Sequence, residues 1–151
     1  MSSGLTLKVL WHDTDAIELA TSASNGRFSG FAKPYVGIDS LGELADKLQG
    51  FPLDPGDERE LRFGAFGKEF AGGSVLLRFF CAGLAGHAVV ELRFEDEAGK
   101  NSGAEWNRPE QTATFFGWTE AFAIDEFVTE LRRVGTNLSG EARLRFHERG
   151  F

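Results

Sequence analysis

The sequence is poor in residues that cross-link or constrain a chain. Its 151 residues include one Cys and four Pro. A single cysteine excludes an internal disulfide framework and gives no reason to place the protein in an oxidising compartment. The first residues lack the basic start and apolar run of a secretory signal. The longest apolar stretch, 75–90, is interrupted by Arg78 and His87, whereas a membrane span needs about 20 mostly apolar residues. We therefore expect a cytoplasmic protein that does not enter a membrane.

Positive charge is also scarce. Lys+Arg 16 stand against Asp+Glu 23, which gives a formal net charge of −7. Because a nucleic-acid-binding surface needs basic groups to neutralise phosphates, we expect no nucleic acid as a partner. Hydrophobic residues, by contrast, make up 42% of the chain, and Phe 15 dominates the aromatics. This composition predicts one folded domain that spans residues 1–151.

The hydrophobic pattern indicates mainly β-strands. Apolar and polar residues alternate with the period of two that is typical of half-buried strands. In the first strand, Leu5, Leu7, Val9 and Trp11 should share the buried face, and Pro34 should mark an edge or a bulge in the third. The expected strands lie near 5–12, 17–21, 27–36, 58–63, 75–81, 90–94, 111–122 and 142–146.

Two segments change to a helical period. The first, up to Leu48, carries the capping box Ser40-x-x-Glu43; the second begins near Asp125, a good N-cap, and stops at Gly135. Each helix has one apolar stripe that must be buried. We therefore expect an α+β fold in which both helices lie on one face of a mostly antiparallel, curved sheet of about seven or eight strands.

The two halves of the sequence also resemble each other. The helical segment 38–48 aligns with 124–134, and the strand segment 58–63 aligns with 141–146. Each half reads strand-strand-strand-helix-strand, which favours an internal duplication. Any two amphipathic segments of the same type also align tolerably, so a chance likeness remains the alternative.

Two small groups of residues could carry chemistry. His12, Asp13 and Asp15 lie at a turn between strands, where they form either a metal or acid–base cluster or an ordinary polar turn. Cys81 and His87 lie across another predicted turn, where they form either a nucleophile and its base or a buried thiol and an unrelated histidine. Neither group completes a catalytic motif, so we predict no catalytic residue, no cofactor and no metal.

The distribution of large apolar residues is the better indication of function. Leu10, Leu76 and Phe80 fall on the expected charged face of the sheet. Either the sheet curls and buries both sides, or this face is covered by a partner. Trp106, in the polar loop 96–110, either packs on the core or serves as an exposed anchor. The expected interaction surface comprises Leu76, Arg78, Phe80, Arg93 and Trp106.

The chain resembles a family of small bacterial single-domain proteins of unknown function. The resemblance lies in the order of elements, in the helices that begin Ile38-Asp39 and Ile124-Asp125, and in the strand Gly86-His87-x-Val89-x-Glu91. Related small α+β proteins include immunity proteins, which neutralise toxins delivered between competing bacteria. The excess of phenylalanine on both sheet faces and the lack of a catalytic motif predict a non-enzymatic protein-binding module. The resemblance makes an immunity protein one form of it, and the acidic charge is compatible with that role because many such toxins are basic nucleases. A small metal-dependent or Cys/His hydrolase is the alternative, and a self-associating module is a third hypothesis.

Overall fold

Eleven strands and two helices are formed by the part of the chain that the computed structural model describes, residues 3–64, 73–83, 86–96, 99–100, 107–108 and 111–147. The two helices are α1 (Ser40–Leu48) and α2 (Ala121–Asn137). The strands are β1 (Gly4–His12), β2 (Ala16–Ser24), β3 (Ser29–Ala32), β4 (Tyr35–Gly37), β5 (Glu58–Phe63), β6 (Ser74–Cys81), β7 (His87–Glu95), β8 (Gly99–Lys100), β9 (Asn107–Arg108), β10 (Thr112–Glu120) and β11 (Glu141–Arg145).

The long strands form two antiparallel sheets. The first sheet has the order β11-β1-β2-β3, with β4 also paired to β2, and the second has the order β10-β7-β6-β5. The α+β class and the antiparallel pairing are confirmed. The strands are divided between two sheets, however, whereas the sequence led us to expect one. In the first sheet β11 lies beside β1, and β3 and β4 lie beside β2, whereas β5 pairs with β6 in the second sheet.

The two sheets have corresponding strand orders. If β1, β2, β3 and β11 are replaced by β6, β7, β10 and β5, the order of the first sheet becomes that of the second. If the chain is divided between β5 and β6, the last strand of each half pairs with the first strand of the other half. These pairs are β11 with β1 in the first sheet and β5 with β6 in the second. The internal duplication stays a prediction, because a shared strand order does not by itself establish a common origin.

One hydrophobic core fills the space between the sheets and the helices. Phe63, Phe79 and Phe127 are fully buried in it and come from β5, β6 and α2. The helices pack against each other, α1 against β5 and α2 against β11. Gly135 permits this close helix pairing, because a Cβ there would lie 3.0 Å from the Cβ of Leu41. Since the helices share the core with the inward faces of the sheets, side chains such as Lys8 and Arg78 on the outward faces are exposed.

The edges where the sheets meet are closed by hydrogen bonds. The backbone N–H of His147 donates to the carbonyl of Trp118 on β10 (2.7 Å), and the Thr119 hydroxyl donates to the carbonyl of Arg145 on β11 (2.8 Å). On the helix side, the N–H of Arg143 in β11 donates to the Glu130 carboxylate of α2 (3.0 Å). These bonds occupy groups that an exposed edge strand would offer to another chain.

Several predicted elements begin or end elsewhere. The expected third strand is split into β3 and β4 at Pro34, which has no N–H to donate. Helix α2 begins at Ala121 instead of near Asp125 and continues to Asn137, two residues beyond Gly135. The N-cap of α1 is Asp39, and Ser40 is the first residue of the helix. The capping box predicted for Ser40 and Glu43 is therefore wrong, and the Asp39 side chain makes no capping hydrogen bond either.

The expected orientation of Trp11 is wrong. The register between β1 and β2 shifts between Val9 and Trp11, which is a β-bulge that inserts Leu10. Leu5 and Leu7 are buried as expected, but Trp11 lies opposite Glu18 and is 50% exposed. The bulge breaks the period of two, so the alternation of the first residues cannot be extended past Val9.

Candidate functional site

Four of the five residues of the expected interaction surface lie together on the outward face of the second sheet. Arg78 is exposed on β6, and its neighbours Leu76 and Phe80 on that face are half-buried. Arg93 on β7 lies directly opposite Leu76. Trp106 lies outside the described residues. We call this outward side of β5, β6, β7 and β10 the second-sheet face.

Charges on the second-sheet face are paired within it. The Arg78 Nη1 atom lies 3.1 Å from Glu91 Oε1, and Arg62 Nε lies 2.9 Å from Glu60 Oε1. Both arginines are largely exposed, and such surface ion pairs contribute only about 0–1 kcal/mol each. The pairs therefore arrange the charges of the face without adding much stability.

Apolar side chains form one row of the second-sheet face. Phe80, Val89 and Trp118 lie opposite one another on β6, β7 and β10. Val89 is only 6% exposed although it points outward, because the two large neighbours flank it. Phe116, on the adjacent row of β10, remains 41% exposed. Much of the apolar surface on this face is therefore already covered by the face itself.

The outward face of the first sheet exposes more apolar surface. Leu10 is 48%, Trp11 50%, Phe31 56% and Tyr35 41% exposed. Phe31 lies opposite Ser22, and Tyr35 lies opposite Glu18. We call Leu10, Trp11, Phe31 and Tyr35 the aromatic patch.

Glu18 lies between two aromatic residues of this patch. It is directly opposite Trp11 on β1 and directly opposite Tyr35 on β4, so the three residues form one row across the sheet. Glu18 is half-buried. Among the described residues it makes no ion pair and no side-chain hydrogen bond, and Lys8, on the neighbouring row, does not pair with it.

The His12-Asp13-Asp15 turn has the geometry of an ordinary polar turn. The Asp13 Oδ1 atom accepts hydrogen bonds from the backbone N–H groups of Asp15 and Ala16, both at 2.8 Å. These two bonds lower the pKa of Asp13. Within the described residues, no group of three or more His, Cys, Asp or Glu side chains is arranged to hold a metal ion.

Cys81 and His87 are not brought together. The Cys81 thiol donates to the carbonyl of Asp54 (3.4 Å), whereas His87 faces Glu120. Burial, followed by the nearby carboxylates of Asp57 and Asp54, raises the pKa of Cys81. A raised pKa reduces the thiolate fraction, which is the opposite of what a nucleophilic cysteine needs.

A cluster of titratable side chains that the sequence did not indicate lies where the sheets meet. His147 Nε2 is 2.8 Å and His87 Nδ1 is 3.8 Å from the same Glu120 oxygen. His87 and Glu120 are directly opposite on β7 and β10, whereas His147 follows β11 of the other sheet. No sequence pattern indicates this cluster, since the pairing of β7 with β10 brings His87 to Glu120 and the meeting of the two sheets brings His147 to the same carboxylate.

Comparison of the chain with protein-family models, curated proteins and solved structures gave no match. In the described part of the chain, neither helix is long and apolar enough to cross a membrane. The function has therefore to be argued from the two outward sheet faces and the side chains that they present.

Proposed function

We propose that this chain is a non-enzymatic protein-binding module and that its outward sheet faces are the binding surfaces. The observation that carries the proposal is the aromatic patch of the first sheet. Four large apolar side chains on one sheet face retain about half of their exposure. Aromatic and large aliphatic residues on one exposed face are typical of binding surfaces, where Trp and Tyr are enriched among the residues that dominate affinity.

The size of the patch fits a protein interface of standard size. Large aromatic side chains bury about 150–250 Å² each, so four half-exposed side chains offer roughly 400 Å² of mostly apolar area. A standard interface covers about 800 Å² on each partner, of which about 57% is apolar. The patch therefore supplies most of the apolar area that one side of such an interface requires.

The closed edges of β10 and β11 favour binding through a face over addition of a strand at those edges. Addition of a partner strand needs free backbone groups along an edge. On β10 and β11, several of these groups bond Glu130, His147 and Thr119. A partner that packs side chains onto the outward faces needs no such groups. An immunity-type protein that neutralises a bacterial toxin is one form of this proposal, and the second-sheet face is its second binding surface.

Affinity capture with matched surface variants tests the proposal. Phe31→Ser removes an aromatic of the patch, and Leu53→Ser is the control because Leu53 is 79% exposed and lies outside the patch. The second-sheet face is tested in parallel with Arg78→Glu and Phe80→Ser. Cross-linking then identifies the contact residues of each captured protein. The expected result is that one partner is retained by the Leu53 variant and lost with Phe31→Ser.

Two outcomes would contradict the proposal. If all variants retain the same partners as the unaltered chain, neither face is a binding surface. If sedimentation shows that the chain associates with itself and that Phe31→Ser abolishes this, the patch is a self-association surface and no other protein is required.

A further inference from the structure

The row Trp11–Glu18–Tyr35 has the composition of a cation-binding site. The carboxylate of Glu18 is on β2, and the two aromatic residues are on the strands at either side of it, Trp11 on β1 and Tyr35 on β4. Adjacent strands are about 4.8 Å apart, so the backbones that carry the two rings are separated by roughly 10 Å. Side chains carried at this separation are far enough apart to hold one planar or compact cationic group between them and above the carboxylate.

Two independent features set this row apart from the rest of the face. The bulge after Val9 brings Trp11 to the outward side, where strict alternation would have buried it. Bulges that redirect a side chain are found preferentially near functional sites. Glu18 is half-buried without a cationic partner among the described residues, although a partly desolvated carboxylate is stabilised by one.

We propose that this row binds the guanidinium group of an arginine presented by a partner protein. The faces of Trp11 and Tyr35 attract the cation through their ring electrons, and Glu18 accepts two parallel hydrogen bonds from the guanidinium fork. This inference rests on the proposed function, since it specifies the chemistry that the aromatic patch recognises.

Other ligand groups fit the row less well. An anion would approach the Glu18 carboxylate in a chain whose formal net charge is −7, so it would be repelled. An apolar side chain would remove water from Glu18 and supply no hydrogen-bond donor, which is costly for a charged group. An ammonium group satisfies the charge, but it does not match the two carboxylate oxygens as the planar fork does.

A peptide titration tests this assignment without knowledge of the natural partner. The probe is the capped tripeptide Gly-Arg-Gly, and the control peptide carries citrulline, which has nearly the same shape and no charge. The indole N–H signal of Trp11, assigned by its loss in Trp11→Phe, reports binding by NMR. We expect the arginine peptide to shift this signal with a dissociation constant of roughly millimolar order. The citrulline peptide should shift it little.

Variants of the row separate charge from apolar contact. Glu18→Gln keeps the size of the side chain and should weaken arginine binding by about tenfold, which corresponds to the loss of a charge-assisted hydrogen bond. Glu141→Gln is the matched control because Glu141 lies on the same sheet face, opposite Lys8. Tyr35→Leu keeps apolar area and removes a ring, and it should also weaken binding, whereas Tyr35→Phe should not.

Three results would overturn the assignment. They are equal shifts with both peptides, an unchanged affinity in Glu18→Gln, or no shift of the Trp11 signal at peptide concentrations well above the millimolar range. Backbone amide spectra show whether each variant is folded. If the assignment fails but Phe31→Ser still abolishes capture of a partner, the proposed function stands and only the chemistry of its ligand is wrong.

Discussion

Removal of the Arg59 side chain should be among the most destabilising changes on the surface of this protein. The guanidinium of Arg59 donates to both Asp57 oxygens at 3.0 and 2.8 Å. It also donates at 3.0 Å to the carbonyls of Lys47 and Gln49, where α1 ends. It lies 5.7 Å from the centre of the Phe51 ring. One side chain therefore connects α1, the segment after it and β5.

The expected cost can be worked out from these contacts. The Arg59 and Asp57 side chains are 17% and 12% exposed, so both are shielded more than an ordinary surface pair. Hydrogen bonds to charged groups contribute about 1.5–3 kcal/mol, and loss of one partner of a buried pair costs about 3–5 kcal/mol. Because some solvent reaches this pair, we expect Arg59→Met to lower the free energy of unfolding by about 3 kcal/mol.

The same pair predicts a dependence on pH. The hydrogen bond from Arg59, together with that from the Leu53 N–H, lowers the pKa of Asp57. A lowered pKa in the folded state means that the stabilisation is present above the ordinary aspartate value of about 3.9 and is lost as the pH falls below it. The stability difference between the unaltered chain and Asp57→Asn should therefore be largest near neutral pH and shrink below about pH 4.

Urea unfolding of the two single variants and the double variant measures the interaction directly. The coupling energy between Asp57 and Arg59 should be about 1–2 kcal/mol near neutral pH. A coupling below about 0.5 kcal/mol would show that the contacts add independently. A difference between the unaltered chain and Asp57→Asn that does not change with pH would refute the assignment of the low pKa to this pair.

Two further predictions concern packing and reactivity. Gly117→Ala should lower the free energy of unfolding by about 1–3 kcal/mol, because the added Cβ would lie 2.5 Å from the Phe146 ring. Gly42→Ala is its control in thermal unfolding and should raise stability by about 0.5–1 kcal/mol, since nothing lies within 4 Å of a Cβ there. The Cys81 thiol should react with an alkylating reagent more slowly in the folded chain than in urea, because its raised pKa leaves little thiolate. Equal rates would contradict this.

The class of the fold could be predicted because local patterns determine it. The apolar stripe of α1 buries Leu41, Leu44 and Leu48 as its helical spacing predicts. The inward positions of β5, Leu61 and Phe63, are buried as their alternation predicts. Such patterns state which side of an element is apolar. They do not indicate which strand lies beside which, so the division of the strands into two sheets could not be predicted from them.

The candidate site was predictable only in part, for a related reason. Leu76, Phe80 and Arg78 share a strand, so their common face follows from the period of two. The exposed position of Trp11 does not follow from that period, because the residue inserted at the bulge moves the side chains that come after it in β1 to the opposite face of the sheet. Glu18 became a candidate only when both neighbouring strands were known, since its two aromatic neighbours come from positions before and after it in the chain.

The pairing of β1 with β11, from opposite ends of the described chain, has a consequence for folding during synthesis. β1 pairs with β11, so Leu5 meets Leu144 only after nearly the whole domain has left the ribosome. Until then the β1–β2 hairpin exposes an unpaired edge and an apolar inner face, which are features that favour aggregation of incomplete chains. The second sheet can assemble earlier, because β5, β6, β7 and β10 are all synthesised before α2. We therefore expect the second sheet to be completed before the first, with the pairing of β1 with β11 the last to form.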